Sequence, residues 1–227
     1  MRQLPLQMRL RGRAAFDNFL PGANAAAIAQ LRAVAAGAAS VPVWLAGATG
    51  TGKTHLLQAV CVQRGARAAY LPLSQLRTFG PAALEGWQGA DCLCLDGIEA
   101  VLGQRDWEQA LFNLYREAEE RAAALLVAAP APPLQLPFVL PDLATRFAAG
   151  LVYTLQPLDE GAQREALRLH AAQRGLLLPE ETALYLQRRF RRDMATLYDL
   201  LDTLDEAALE AQRRLTVPFI REVLGRR

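Results

Sequence analysis

The chain has 227 residues, 52% of them hydrophobic and 21% charged, a balance that can bury a sizeable core and that excludes a disordered polymer. Its 25 basic residues stand against 23 acidic ones, a net charge of +2, so no overall field demands nucleic acid as a direct partner. Every basic side chain except Lys53 is arginine. Three cysteines, Cys61, Cys92 and Cys94, are too few and too badly spaced for a disulfide framework or a zinc site. No basic-apolar-small leader opens the chain. The uncharged stretch 122–141, long enough to span a bilayer, carries five prolines, which would break a membrane helix. A cytoplasmic location and no membrane partner are expected.

The first residues, MRQLPLQMRLRGR, are basic and without helical period, and 1–13 is read as an extended arm. The next part, 14–157, starts with an alanine-rich helix from about Ala25 to Ala36, followed by VPVWLAGA, an apolar, β-branched run that stops at glycines. THLLQAVCVQRG has apolar residues at helical spacing and Gly65 at its end. AAYLPL is a second strand. DCLCLDGI is a third, on which Cys92 and Cys94 alternate as buried thiols. WEQALFNLYREAEERA is an amphipathic helix with Trp107, Leu111, Leu114 and Tyr115 on one side. AALLVAAP and LVYTLQPL bring the strands to five. Strands alternating with helices predict an α/β fold with a parallel five-stranded sheet covered by helices. Beyond Pro157 no strand is expected. Residues 158–227 read as a small all-α lid made of DEGAQREALRLHAAQRG, PEETALYLQRRF, RDMATLYDLLDTLDEAALEAQRR and TVPFIREVLG, punctuated by Gly175, Pro179 and Thr216.

GATGTGKT matches G-x-x-x-x-G-K-[ST] in full, with a strand before it and a helix after it. The residues concerned are Gly47, Ala48, Thr49, Gly50, Thr51, Gly52, Lys53 and Thr54. Glycines let backbone N–H groups turn around a phosphate, and the helix N-terminus adds its partial positive charge. Lys53 reaches the outer phosphates, a task for a compact ammonium on a flexible stem, and Thr54 can ligate Mg2+. His55 follows on the first helical turn and is grouped with the loop in a structural role. Hydrolysis requires more: an acid that holds the metal after another strand, and a residue that orients the attacking water. Asp96, after CLCL, is placed as the metal-side acid. Many such ATPases carry a second acid next to it; here that position is Gly97. Glu99 is read either as its substitute or as a solvent-facing glutamate.

Over almost the whole chain these segments resemble the Hda family, regulatory inactivators of the bacterial replication initiator DnaA within the AAA+ class. The resemblance rests on GATGTGKTH, DCLCLDGIE, LPDLATRFAAGLVYTLQPLDE and AQRRLTVPFIREVL, on the upstream box FDNFLPGAN from Phe16 to Asn24, and on RDMATLYDLLDTLDEAALEAQRRLTVPF in the lid. The ATPase domain of DnaA is similar too, but the sequence stops at Arg227, and the initiator's DNA-reading domain is not expected. The resemblance implies a P-loop AAA+ domain followed by the lid. It implies that Gln3, Leu4, Leu6 and Met8 form a peptide that docks on the polymerase sliding clamp (β subunit), which reaches DNA indirectly. An extended, proline-stiffened peptide suits a preformed groove at low ordering cost. It further implies that Arg146 is an arginine finger acting in trans on nucleotide bound by DnaA, the alternative being a surface salt bridge at a helix end. Phe16, Phe19 and Asn24 are placed on the adenine side of the pocket, or the two phenylalanines pack as a staple on the core. A homo-oligomer is left open.

Departures from the family pattern matter as much. Ala128 and Ala129 stand where a polar sensor residue is usual, and Ala195 replaces a lid arginine, with Arg191 and Arg192 close by. Together with Gly97, these changes predict a site that binds ADP (or ATP) with Mg2+ and turns it over weakly or not at all. The expected function is an adaptor that stimulates hydrolysis by DnaA. The competing expectations are an AAA+ ATPase that loads helicase or remodels DNA, and a DNA-binding initiator paralogue. The cluster RRFRR, 188–192, is read either as a contact to phosphates or to DnaA, or as a solvated face.

Overall fold

The computed structural model describes residues 14–38, 41–190, 194–211, 213 and 215–225. The arm with Gln3, Leu4, Leu6 and Met8, and the pair Arg191 and Arg192, lie outside the described residues. The chain divides into two compact units, one containing Ala23–Ala48 and Gly52–Gln156, the other Asp17–Gly22, Thr49–Thr51 and the chain from Pro157. The two short segments assigned to the second unit belong to no strand and no α-helix.

The first unit holds strands β1 (Val43–Ala46), β2 (Ala68–Pro72), β3 (Cys92–Asp96), β4 (Ala124–Ala129) and β5 (Leu151–Thr154). They form one parallel sheet in the order β2-β3-β4-β1-β5. The helices are α1 (Ala25–Ala35), α2 (Lys53–Arg64), α3 (Leu73–Leu76), α4 (Arg105–Glu120) and α5 (Pro141–Ala148). The three inner strands read as unbroken apolar runs because both sheet faces are covered. Trp44, Leu93, Leu95, Leu125 and Val127 pack with Trp107, Leu111 and Leu114 of α4 and with Leu143 and Phe147 of α5. Residues of opposite parity, such as Leu45, Cys94 and Leu126, are equally buried. On that side α2 crosses β2, β3 and β4, and α1 packs on α2. Each buried leucine contributes about 2 kcal/mol. All three cysteines are free and buried. Hydrogen bonds with Cys61 and Cys92, then burial, hold the Cys94 thiol well above its ordinary pKa, so it is a core thiol and no nucleophile.

Two elements correct the sequence reading. LVYTLQPL is a strand only over Leu151–Thr154. Leu155 still donates to the Ala46 carbonyl at 2.8 Å, but β1 then turns away into the glycine loop. The Asn24 side chain takes over, accepting from the Gln156 N–H at 2.8 Å and donating to its carbonyl at 3.0 Å. The segment Pro141–Ala148 is a helix of its own, opened by Pro141 with Asp142 in its first turn and Leu143, Ala144 and Phe147 buried. The prolines before it mask its period in the sequence.

The second unit contains α6 (Glu160–Ala172), α7 (Glu180–Arg189), α8 (Met194–Ala211) and α9 (Val217–Gly225). Asp159 caps α6 by accepting from Ala162 N–H at 2.8 Å. Leu167, Leu186, Leu201, Leu204, Phe219 and Ile220 form its core. Buried Gln187 pins α7 to α6, donating to the Glu160 carbonyl at 2.8 Å and accepting from Arg164 at 3.0 Å. Arg174, in the turn after α6, is tied to α8 through ion pairs with Asp202 and Asp205. Among the described residues, no helix is long and apolar enough to cross a membrane.

The start of β5 leaves no room for a side chain. A Cβ on Gly150 would lie 2.5 Å from the Pro42 carbonyl oxygen, the same atom that accepts the Leu151 N–H at 2.9 Å. Gly150→Ala is expected to cost about 1–3 kcal/mol and to lower the melting temperature by about 2–4 °C per kcal/mol, read by calorimetry. An unchanged melting temperature would mean that Pro42 yields freely.

Candidate functional site

Because all strands are parallel, their carboxyl ends share one edge of the sheet, the place where α/β folds bind ligands. Ala46 pairs with Ala129 and Asp96 with Ala128, so the end of β4 lies between the glycine loop and Asp96. Backbone bonds tie the three together: Gly47 N–H donates to Ala129 O and Gly97 N–H to Ala128 O, both at 3.2 Å. Strands are about 4.8 Å apart, which sets the acid roughly two spacings from β1. Ala128 and Ala129 are fully buried methyl groups. The edge therefore offers no side-chain polar atom at that point.

The loop itself is a run of unusual backbone. Gly50 and Gly52 have φ of 85° and 93°, a conformation closed to most L-residues. Gly52 then caps α2, whose 12 residues begin at Lys53. The Lys53 ammonium folds back to donate to the carbonyls of Gly47 at 2.6 Å and Ala48 at 2.9 Å. Burial lowers its pKa below the ordinary value, while the carboxylates of Glu99 and Asp96 oppose the shift. Both acids thus act on the lysine through space, although Glu99 is exposed and sits on a 3₁₀ turn, Ile98–Ala100. Gly97 before it has φ 72°.

Asp96 is not solitary. The Tyr70 hydroxyl, from β2, donates to its Oδ2 at 2.6 Å, and among the described residues its other oxygen accepts no hydrogen bond. Burial first, then the Asp96 charge and hydrogen bond, push the Tyr70 pKa far up, so Tyr70 remains a donor. It holds the carboxylate in one orientation. The sequence reading missed Tyr70, whose only signal was a lone hydroxyl in an apolar strand paired in register near the acid.

Residues of the upstream box are dispersed over several contacts. Phe16 is buried with the Arg32 guanidinium 5.0 Å from its ring centroid. Phe19 is half-buried. Asn24 has both amide atoms engaged by Gln156. His55 Nε2 lies 3.0 Å from the Ala15 carbonyl, a structural tie between α2 and the residue just before the box.

Arg146 stands on α5, and among the described residues its guanidinium meets side chains of α4 and α5. Its Nε pairs with Asp142 at 3.2 Å and Nη1 with Glu119 at 3.7 Å, while its carbon Cζ lies 5.0 Å from the Phe112 ring and 5.8 Å from that of Tyr115. The helix that bears it is anchored by a residue the sequence reading passed over. Glu108 is fully buried, and its carboxylate accepts from the N–H groups of Gly103 at 2.9 Å, Val139 at 3.0 Å and Leu140 at 2.7 Å. A glutamate beside Trp107 on the apolar side of α4 was the signal.

Residues 159–224 match the family model of the Hda lid domain, and residues 10–73 that of the bacterial DnaA ATPase domain. The chain is an Hda-like member of the DnaA family of AAA+ proteins. Domain III of the Thermotoga maritima replication initiation protein DnaA is similar with TM-score 0.78 and 22% identity over 93% of this chain and 95% of that one. DnaA from Aquifex aeolicus, bound to AMPPCP, gives 0.70 and 20% over 89% and 68%. A variant of the RuvB branch-migration motor of Thermotoga maritima gives 0.69 and 17% over 95% and 74%. At these identities the likeness speaks for the AAA+ fold. The Hda-type lid is the feature that the family models add to it.

In this Hda-like chain Glu108 fastens α5 from inside the core. Glu108→Ala empties the buried acceptor site of three backbone N–H groups and is expected to cost roughly 3 kcal/mol or more, seen as a lowered urea midpoint at unchanged slope. A loss well under 1 kcal/mol would show that water replaces the carboxylate.

Proposed function

We propose that the chain is a nucleotide-bound negative regulator of replication initiation, an adaptor whose output is hydrolysis by DnaA. The observation that carries this reading is a combination. A complete phosphate loop and an Hda-type lid share a chain whose sheet edge has alanine at 128 and 129 and glycine at 97. Phosphate binding is retained in such a site while water activation is depleted.

The donor set fits a nucleotide polyphosphate with Mg2+, as in the AMPPCP-bound DnaA relatives. Backbone amides of 47–54 and Lys53 would hold the β- and outer phosphates. Thr54 and Asp96, oriented by Tyr70, would hold the Mg2+, a cation that takes one or two protein oxygens and completes its shell with phosphate and water. Bound, the metal neutralises phosphate charge. Phe16, Phe19 and Asn24 are assigned to the adenine side, Asn24 through the Gln156 backbone it holds. We assign Gln3, Leu4, Leu6 and Met8 to the DNA-loaded clamp and Arg146 to the γ-phosphate of ATP on DnaA. A guanidinium in that position stabilises charge developing in phosphoryl transfer and is worth about 10³–10⁵ in rate. ADP is the resident nucleotide in this scheme.

A second reading is favoured by Lys53, Asp96 and Glu99 standing in mutual electrostatic reach: an ATPase in its own right. One assay separates the two. Hydrolysis of DnaA-bound ATP is measured with the protein, ADP, clamp and DNA. Wild type should accelerate it, and Arg146→Ala should reduce the acceleration by about 10³-fold or more. Gln3→Ala with Leu4→Ala should abolish dependence on the clamp. Turnover by the protein alone, lost in Lys53→Ala, together with no effect on DnaA, would establish the ATPase instead.

A further inference from the structure

Glu108, Phe112, Tyr115 and Glu119 recur at spacings of four, three and four, so they form one stripe along α4. The whole stripe faces α5. Glu108 holds the backbone at Val139 and Leu140, where α5 begins. Phe112 and Tyr115 then lie under the Arg146 guanidinium, and Glu119 meets its Nη1. The Tyr115 ring also packs edge-on to Phe147 at 5.6 Å, and Phe147 packs on Trp44 of β1 at 5.2 Å. A path of packed rings therefore runs from the inner strand β1 to the arginine.

Exposed ion pairs such as Arg146 with Asp142 and Glu119 are worth little by themselves, and they do not require two aromatic rings beneath the cation. A stacked guanidinium keeps its charge while its plane is fixed. The side chain remains 36% exposed, and among the described residues its second terminal nitrogen, Nη2, donates no hydrogen bond. That combination suits a group that presents N–H donors outward with little orientational freedom left to lose.

We infer that Phe112 is a positioning residue for Arg146, the half-buried member of the stripe whose ring sets the plane of the guanidinium. This rests on the reading of Arg146 as a group acting on the phosphate of a partner. Phe112 is chosen over Tyr115 and Glu108 because those two are buried, whereas Phe112 is half-buried and packs only at the margin of the core.

The test uses the full chain with DnaA, clamp and DNA, and follows single-turnover hydrolysis of DnaA-bound ATP against concentration of the protein. Phe112→Leu, which keeps bulk and removes the π face, should lower the maximal rate about three- to tenfold with the half-saturating concentration unchanged. Phe112→Tyr should restore it. In an Arg146→Ala background Phe112→Leu should have no further effect. Phe112→Met serves if the leucine variant melts early. The inference is overturned if Phe112→Leu retains the wild-type maximal rate, if only half-saturation shifts, or if its loss persists undiminished without Arg146. Arg146→Ala at the wild-type rate overturns the underlying reading as well. Loss in Arg146→Ala with none in Phe112→Leu overturns the inference alone.

Discussion

Parallel hydrogen bonding of β1 to β4 on one side and to β5 on the other brings the carboxyl ends of the strands to a single edge. Every placement at the candidate site follows from that ladder. It puts the glycine loop at the end of β1, the two alanines of β4 beside it, and Asp96 of β3 one strand further out. The ladder in turn depends on helices covering both faces, because an inner parallel strand buries all its side chains. Trp44 and Leu45 point to opposite faces and both are buried.

The chemistry of that edge is unbalanced. Groups that hold phosphate are complete: glycines in left-handed backbone, an ammonium half out of water, a helix N-terminus. Groups that would polarise water are thin, since methyls occupy 128 and 129 and Gly97 carries no side chain. Glu99 is near enough in charge to influence Lys53 but sits exposed on a short turn. A second concentration of chemistry lies on α4 and α5, where one arginine is stacked, paired and still partly open. The phosphate-loop chemistry and the outward cation therefore stand on different elements of the same unit.

Glu108 shows how such a surface is stabilised from within. A carboxylate without solvent is costly unless its oxygens are satisfied, and here three backbone N–H groups do so. The same bonds join the loop before α4 to the loop before α5. In the helical second unit Gln187 and Arg174 do comparable work between α6, α7 and α8.

The sequence by itself determined the five strands and their parallel character, and it marked the glycine loop. These depend on local properties: apolar runs, glycine spacing, one lysine among arginines. It also marked Asp96, Arg146, Ala128 and Ala129 by position in recognisable segments. It did not determine where β5 ends, because that is decided by Asn24, more than a hundred residues earlier, seizing the backbone of Gln156. The helix Pro141–Ala148 was obscured by the prolines before it and is defined by burial of Leu143 and Phe147. Tyr70 on Asp96, Glu108 under α5 and the rings beneath Arg146 were likewise settled only by tertiary structure. Each joins residues distant in the chain, and periodicity carries no information about which side chains meet across a fold.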